Sequence, residues 1–346
     1  MSGSRHIGVA LSGGKDSTAV VLRLRAAGHR VSAFTMRMGT RGEAERLARV
    51  ETLCRHLEVP WTVVDVAAEF AVAVVGPFVA TYGKGRTPNP CALCNRAIKF
   101  GRLRRRVLEA GCDLFATGHY AAIVERSGRR LLAEAAELAK SQSYFLSLIG
   151  PANLERVVFP LAGVPIAEVR ATVAGLPLAG TGESQDACFL NGESAADFVQ
   201  ARLPGSCAAG DFVDAAGRIL GRHRGVFRYT IGQRRGTHFA GGERLYVTAI
   251  DLGRGTVTLG RAEELLSCGL RLENTVVWEP LLPGTRVLVK IRYATPAAPA
   301  EVTEVGESTL ALRFAAPVRS VTPGQVGAVY REGAIVCAGE IAGVWR

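Results

Sequence analysis

The sequence has no long run of apolar residues, although 48% of its 346 residues are hydrophobic. No stretch approaches the roughly 18 consecutive apolar residues that a membrane-spanning helix needs. The first residues lack the profile of a signal peptide, and internal repeats and low-complexity segments are also missing. These absences exclude an integral membrane protein, a secreted precursor and a repeat array. They predict a cytoplasmic protein with two or three domains.

Lysine is scarce, since 37 of the 42 basic residues are arginine, yet the net charge is +11. The excess is concentrated in two segments. Residues 83–130 carry eleven basic and three acidic residues, and residues 205–261 carry nine and four. Such clustering is typical of a nucleic-acid partner, with two solvated basic faces as the alternative.

The eight cysteines lack the pattern of a disulfide framework. Five of them stand apart from any motif, and we predict that they are buried as small apolar residues: Cys54, Cys112, Cys207, Cys268 and Cys337.

Cys91 and Cys94 form a C-x-x-C motif at the start of a basic segment, after two prolines. A second C-x-x-C or a C-x-x-H that would complete a zinc ribbon is missing. The helix N-terminus, Arg96 and Lys99 are expected to stabilise thiolates here. The motif alone leaves metal and redox roles open.

A glycine loop, Ser12-Gly-Gly-Lys-Asp-Ser17, separates an apolar run at 7–11 from a helical pattern at 18–24. Strand, glycine turn and helix N-terminus together favour a bound phosphate, with a ligand-free turn as the alternative. The spacing excludes the P-loop, whose glycines are separated by four residues. The loop instead resembles the pyrophosphate loop of the N-type ATP pyrophosphatase superfamily. Its members cleave ATP between the α and β phosphates and adenylate an oxygen of the second substrate.

Strand patterns at 31–36, 61–65 and 113–117 alternate with helical patterns, which predicts a parallel α/β sheet. We therefore predict an adenine nucleotide alpha hydrolase-like (N-type ATP pyrophosphatase) domain at 1–203. Short alternating runs, such as 226–230, then predict a small β-rich central domain at 204–268 and a C-terminal β-barrel-like domain at 269–346.

Nine motifs extend the resemblance to almost the full length of the chain. They are Ser-Gly-Gly-Lys-Asp-Ser (12–17), Arg-Thr-Pro-Asn-Pro (86–90), Cys-Asn (94–95), Ile-Lys-Phe (98–100), Ala-Thr-Gly-His-Tyr (116–120), Gln-Ser-Tyr-Phe-Leu (142–146), Cys-Phe (188–189), Thr-Ile-Gly-Gln-Arg (230–234) and Thr-Pro-Gly-Gln (322–325). In this order they are similar to the tRNA-specific 2-thiouridylase family. The resemblance implies ATP-dependent 2-thiolation of the wobble uridine in tRNAs for Lys, Glu and Gln, through an adenylated uracil that sulfur attacks. It also implies ATP and Mg²⁺ as cofactors, and tRNA and a sulfur donor protein, a cysteine desulfurase or a sulfur relay protein, as partners.

The resemblance assigns roles residue by residue. ATP would be bound by Ala10, Leu11, Ser12, Gly13, Gly14, Lys15, Asp16, Ser17, Met36 and Gly118. The flipped target base would lie at Asn89, Pro90 and Cys91. Further tRNA contacts would come from His119, Lys140, Ser141, Gln142, Arg292, Tyr293 and Gln325. Cys94 matches the nucleophile of the family and Cys188 the cysteine that carries a persulfide.

Some residues depart from the family pattern, in which Asp is usual at positions 91 and 141 and a small apolar residue at position 15. The stretches at 36–43 and 183–187 also differ. The cysteine at 91 opens a second mechanism, because Cys91, Cys94 and Cys188 could hold three irons of a 4Fe-4S cluster whose fourth iron binds sulfide. The rival is a relay in which Cys188 carries a persulfide and Cys94 resolves it as a disulfide.

Two other functions fit parts of the sequence. One is an ATP pyrophosphatase with a different RNA acceptor, such as a tRNA lysidine synthetase, or an amide-forming ligase. The paired cysteines argue against it, because those enzymes use amine nucleophiles. The other is a non-catalytic RNA-binding protein with a structural zinc.

Overall fold

The computed structural model describes residues 3–178, 187–203, 209–237 and 244–345. Cys207 and residues 183–186, which carry two of the sequence predictions, lie outside these ranges. The chain forms two compact units. The first comprises Met1–Val74, Cys91–Phe189 and Glu332–Ile335, and the second comprises Val75–Pro90, Leu190–Arg331 and Val336–Arg346. The three-domain division at 203 and 268 stays a prediction.

The first unit is built on a parallel five-stranded sheet. Its strands are β1 (His6–Ala10), β2 (Arg30–Arg37), β3 (Trp61–Asp65), β4 (Leu114–Thr117) and β7 (Val157–Val158), with a β5–β6 hairpin (Ala122–Arg126 and Arg129–Ala133) between β4 and β7. The order is β3-β2-β1-β4-β7. The chain therefore leaves the central β1 for opposite sides of the sheet, with a topological switch point between β1 and β4. In open α/β sheets, ligands bind outside the carboxyl ends of the strands at such a point.

The helices of the chain have the following bounds. They are α1 (Lys15–Ala26), α2 (Glu43–His56), α3 (Ala67–Phe70), α4 (Gly76–Tyr82), α5 (Pro90–Cys94), α6 (Arg104–Glu109), α7 (Ser143–Leu146), α8 (Ile166–Thr172) and α9 (Ala195–Gln200). Two π-helical stretches, Ala71–Val75 and Asn95–Leu103, interrupt these α-helices, and 3₁₀ turns lie at Leu138–Lys140, Pro151–Leu154, Val226–Arg228 and Ala262–Leu265. None of the helices in the described part of the chain is long and apolar enough to cross a membrane.

The core of the first unit follows from the apolar β1 and the apolar face of α1. Val9, Val20 and Val21 are fully buried, with Leu53 of α2 against the same cluster. Burial of each such side chain contributes about 2 kcal/mol. The core therefore fixes both ends of the loop that joins β1 to α1.

The second unit is rich in antiparallel strands. Its first sheet contains β8 (Gly210–Val213), β9 (Ile219–His223), β10 (Tyr246–Asp251) and β11 (Thr256–Gly260) in the order β10-β11-β8-β9. The later strands are β12 (Leu266–Val277), β13 (Arg286–Lys290), β14 (Ala298–Val305), β15 (Thr309–Arg319), β16 (Val326–Arg331) and β17 (Ala334–Trp345). They follow the order β12-β15-β14-β13-β16-β17, and β12 also pairs with β17, which closes a barrel. The predicted fold class, a parallel α/β domain followed by β-rich domains, is confirmed.

Some predicted elements are wrong in detail. Residues 226–230 were expected to form a strand, but Val226–Arg228 form a 3₁₀ turn. Gly225, at φ 121°, turns the chain into it, and Val226 and Phe227 are both buried. Two adjacent buried side chains do not suit a half-buried strand, whose side chains alternate between faces.

Candidate active site

The loop between β1 and α1 is held by its own hydroxyl groups. Ser17 Oγ accepts from the backbone N–H of Ser12 at 3.2 Å and donates to the carbonyl of Gly14 at 3.2 Å. Thr18 Oγ1 donates to the same carbonyl at 2.9 Å. Gly13 adopts φ 83°, which a side chain would strain. The loop thus has a fixed shape at the positive end of α1, where an anion is favoured.

The segment that follows β4 supports this loop from behind. A Cβ on Gly118 would lie 2.7 Å from the backbone nitrogen of Ser17, so the two backbones touch. Tyr120 reaches back as well, because its hydroxyl donates to Asp16 Oδ1 at 3.1 Å. Burial and the Asp16 carboxylate raise the pKa of Tyr120, which keeps its phenol protonated as the donor.

The remaining residues assigned to ATP lie around the same sheet edge. Ala10 ends β1, buried Leu11 follows it, and Ser12 is exposed, as is Lys15 at the first position of α1. Met36 lies near the end of β2, half-buried, and its carbonyl accepts from Arg46 Nη2 at 2.8 Å. Sequence reasoning missed Glu43, whose buried carboxylate accepts from the N–H groups of Met38 and Gly39 at 2.7 Å each. The acidic start of α2 was its only signal in the sequence.

The three cysteines of interest all belong to the first unit. Cys94 is buried at the end of α5, whereas Cys91 and Cys188 are exposed. Each raises the pKa of Cys94, and Cys188 raises that of Cys91, so the three thiols are electrostatic neighbours. The site therefore brings together a short C-x-x-C helix and a cysteine almost a hundred residues later.

The sequence predicts stabilised thiolates at this site. That prediction is wrong, because the pKa values of all three thiols are raised. Desolvation by the surrounding protein raises the pKa of buried Cys94 to about 11, and it also raises the pKa values of Cys91 and Cys188, although these two side chains are partly open to solvent. Desolvation outweighs the cation that opposes it, Lys99, which lowers the pKa of all three thiols. Arg46 adds a smaller effect on Cys188.

The π-helical stretch explains how Lys99 can influence the thiol of Cys94. Lys99 lies five residues after Cys94, within Asn95–Leu103. In an α-helix a residue five places on lies about 140° around the axis. In a π-helix the i to i+5 hydrogen bond brings that residue close to the face of residue i. The π winding therefore turns Lys99 towards the side of the helix that carries Cys94.

The geometry does not fit a metal cluster on these cysteines. Across the ranges that the structure describes, no three or more His, Cys, Asp or Glu side chains are arranged to hold a metal ion. A three-cysteine ligand set would need Cys91, Cys94 and Cys188 to converge on one point. We therefore derive no step through a 4Fe-4S cluster.

Comparison with known proteins connects this site to a family. Residues 5–192 match the family model described as tRNA methyl transferase HUP domain, residues 196–261 the tRNA methyl transferase PRC-barrel domain, and residues 269–341 the aminomethyltransferase beta-barrel domain. The tRNA-specific 2-thiouridylase MnmA of Syntrophotalea carbinolica is 40% identical over 98% of this chain and 99% of its own. That of Desulforudis audaxviator is 39% identical over 97% of this chain and 98% of its own. The chain belongs to the tRNA-specific 2-thiouridylase family. The predicted class, a sulfurtransferase that modifies tRNA, is confirmed.

Solved structures resemble the chain only loosely. A predicted tRNA methyltransferase subunit from Methanocaldococcus jannaschii covers 57% of this chain and 86% of its own, with 13% identity and a TM-score of 0.33.

His119 is one of the residues matched to tRNA contacts in this thiouridylase family, and it links the two halves of the site. It directly follows Gly118, and its Nδ1 lies 2.8 Å from Thr117 Oγ1. Burial and nearby Lys99 hold the pKa of His119 well below its ordinary value. The imidazole is therefore neutral at pH 7. His119 thus adjoins Gly118 at the loop of residues 12–17, and Lys99 acts electrostatically on both His119 and the three thiols.

The 140–142 segment lies beside the pyrophosphate loop. The hydroxyl of Ser141 is buried, where it accepts from the N–H of Ala135 at 3.2 Å and lies 3.1 Å from Ser143 Oγ. Gln142 Oε1 accepts from the N–H of Tyr120 at 3.1 Å, and Lys140 ends the 3₁₀ turn before them. In this conformation Gln142 supports Tyr120 from inside the protein, whereas the Ser141 hydroxyl binds the backbone of Ala135.

The remaining residues matched to tRNA lie in the second unit. Asn89 immediately precedes α5, and Pro90 is the first residue of that helix. Lys290 Nζ lies over the ring of Tyr293, 5.5 Å from the ring centre. The Arg292 guanidinium donates to the carbonyl of Ile231 at 2.8 Å. Gln325 donates to two backbone carbonyls of the 86–90 segment.

Of the four isolated cysteines that the structure describes, three follow the burial prediction. Cys54, Cys112 and Cys337 are buried, as predicted. Cys268 is exposed, so the prediction is wrong there. It lies on β12 where the register shifts between Ser267 and Gly269, and the side chain at such an irregularity need not face the core.

Proposed function

We propose that this protein uses ATP to replace the 2-oxygen of the wobble uridine with sulfur in tRNAs for Lys, Glu and Gln, in the cytoplasm. The observation that carries the proposal is that the residues after β4, together with Lys99, connect the loop at 12–17 with the three thiols. Gly118 touches the pyrophosphate loop, while the adjacent His119 and nearby Lys99 lead to the thiols. A nucleotide site and a sulfur site therefore act on a substrate held between them.

The first step is adenylation. The uracil 2-oxygen attacks the α-phosphorus of ATP, the bond to the β-phosphate oxygen breaks, and pyrophosphate leaves. The Ser12–Ser17 loop and the N-terminus of α1 would hold the phosphates, because their partial positive charge opposes the phosphate charge. Mg²⁺ would enter the site bound to the phosphates of ATP, which are its usual ligands in nucleotide sites.

The second step transfers sulfur from a persulfide on Cys188. Its terminal sulfur attacks uracil C2, and AMP leaves with the former 2-oxygen. The thiol of Cys94, whose pKa is raised to about 11, must first lose its proton. Its sulfur then attacks Cys188 Sγ, which breaks the sulfur–sulfur bond and releases 2-thiouridine, and the product takes up the proton. The resulting Cys94–Cys188 disulfide is reduced by an external thiol, and a sulfur donor protein reloads Cys188.

A basic surface of the second unit supports a tRNA partner. The Arg319 guanidinium lies over the ring of Tyr246, 4.2 Å from its centre. Its hydrogen bond lowers the pKa of Tyr246, and the charges of Arg234 and Arg244 act in the same direction. Three arginines around an aromatic ring are typical of a surface that binds a nucleic-acid backbone and a stacked base.

Mass analysis of tRNA nucleosides tests the proposal. Wild-type protein with ATP, tRNA and a cysteine desulfurase with its substrate cysteine as the persulfide donor should produce 2-thiouridine and AMP, and Cys188→Ala and Cys94→Ala should abolish the thiolated product but still bind tRNA. Cys268→Ala is the matched control, because Cys268 is exposed but unrelated to the site. Normal 2-thiouridine from Cys188→Ala would refute the sulfur assignment. A methylated nucleoside instead would identify the activity named in the family models.

Anaerobic purification with iron and sulfide analysis separates the two sulfur mechanisms. An iron-free, colourless and active protein supports the persulfide relay. Stoichiometric iron and sulfide, lost together with activity in Cys91→Ser, would establish the cluster.

A further inference from the structure

Three motifs that are far apart in the sequence meet inside the second unit. The N–H of Thr87 donates to the carbonyl of Pro323 at 3.0 Å, and Thr87 Oγ1 donates to Thr230 Oγ1 at 3.3 Å. Residues 86–90, 230–234 and 322–325 thus form one junction, which we call the motif junction. It lies immediately before α5, the helix of Cys91 and Cys94.

Gln325 makes the central contacts of the motif junction. Its Nε2 donates to the carbonyls of Thr87 at 3.0 Å and Pro88 at 3.1 Å. The residue itself is fixed, because its N–H donates to the carbonyl of Thr322 at 3.2 Å and its carbonyl accepts from Ile341 at 2.8 Å. The turn that contains Gln325 therefore binds two successive backbone carbonyls of the segment 86–90, which contains two prolines.

Gly324 allows this close approach. It adopts φ 91°, and a Cβ there would lie 2.9 Å from Cβ of Arg86 and from the backbone nitrogen and oxygen of Thr87. A side chain would therefore separate the two backbones. Glu340 adds an ion pair with Arg86 at 3.2 Å.

Arg292 closes the other side of the junction. Its guanidinium donates to the carbonyl of Ile231 and to the hydroxyl of Thr322. Arg292 and Gln325 are both matched to tRNA contacts by sequence, yet their donors bind the protein itself in this structure.

We propose that Gln325 is a positioning residue that holds Asn89 and Pro90 in place for the target base. This inference rests on the proposed function, because the sequence assigns the target base to these residues. Gln325 acts through the carbonyls of Thr87 and Pro88 and has no chemical role of its own. Loss of its amide donor should misplace the base and slow the reaction without weakening tRNA binding by the same factor.

The test uses the full-length Gln325→Glu variant, which keeps the size of the side chain but turns a carboxylate oxygen towards the two carbonyls. We expect kcat for thiolation to fall at least about tenfold, with Kd for tRNA changed less than about twofold. Trypsin should also cleave faster after Arg86, since the segment loses its anchor. Gly324→Ala should act in the same direction, and it also serves if Gln325→Glu fails to fold. Gln200→Glu is the control, because it adds the same charge at an exposed helix end.

Two results would overturn the inference. One is wild-type kcat and wild-type trypsin cleavage in Gln325→Glu. The other is a Kd for tRNA that rises by the factor that the activity falls, with unchanged cleavage, which would make Gln325 a direct tRNA contact. Wild-type protein that makes no 2-thiouridine would refute the proposed function instead, and the trypsin measurement would still test the anchor.

Discussion

The hydroxyl of Tyr120 donates a hydrogen bond of 3.1 Å to the carboxylate of Asp16, and this contact joins the segment after β4, which carries His119, to the loop at 12–17. Tyr120→Phe removes the donor and keeps the ring. We expect the free energy of unfolding to fall by about 1 kcal/mol, and KM for ATP to rise because Asp16 loses its anchor. Pyrophosphate release and thermal unfolding measure the two effects. Tyr82→Phe, which deletes a tyrosine hydroxyl in the second unit, should leave KM unchanged.

The close contact between Gly118 and Ser17 gives a stronger prediction. Gly118→Ala places a methyl group 2.7 Å from the Ser17 nitrogen and 2.9 Å from the Asp16 carbonyl carbon. The loop must shift, which costs about 1–3 kcal/mol and should reduce ATP turnover at least about tenfold. Gly163→Ala is the control, since a Cβ there meets nothing within 4 Å. Equal activity of the two variants would mean that the loop does not need its present position.

The raised pKa values of the thiols predict how their reactivity depends on pH. Thiolate forms only as the pH rises through the pKa, so alkylation of exposed Cys91 and Cys188 by iodoacetamide should be slow at pH 7 and accelerate above pH 9. Lys99 lowers both pKa values, so Lys99→Gln should shift both profiles to higher pH. Lys15→Gln is the control. Mass spectrometry of the labelled peptides gives the rates, and an unchanged profile in Lys99→Gln would contradict the assignment of Lys99.

The arginine surface around Tyr246 should contribute to tRNA affinity. Arg319→Ala removes both a charge and a stacked group, so we expect weaker binding and a salt slope that is smaller by about 1. Arg218→Ala is the control, because Arg218 is exposed but paired with Asp214. Fluorescence anisotropy over a range of salt concentrations measures both quantities, and equal slopes for the two variants would remove this surface from the tRNA site.

The pattern of apolar residues predicts an element correctly where the sequence of that element alone determines its structure. The apolar run at 7–11 and the glycines after it define β1 and the loop, and both appear as predicted. Residues 226–230 show the limit, because a positive φ at Gly225 and the packing of Phe227 override the alternating pattern.

Sequence motifs propose which residues form the candidate site, but they do not predict its electrostatics. Motif spacing identifies Cys94 and Lys99, whereas the balance between desolvation and the lysine charge depends on how many protein atoms surround the thiols. The π winding after Cys94 is likewise absent from the sequence pattern, since apolar residues at helical spacing do not distinguish i to i+4 from i to i+5 hydrogen bonds. The internal partners of Arg292 and Gln325 lie 61 and 238 residues away in the sequence.

Residues 75–90 pack with partners that are synthesised much later, at 190–331 and 336–346. During translation the pyrophosphate loop and its sheet can fold early, but the segment that leads into the cysteine helix must wait for the end of the chain. A product truncated near residue 192 would carry the loop at 12–17 and all three thiols without the Gln325 anchor. The segment at 86–90 would therefore gain its full set of contacts only once the barrel is complete.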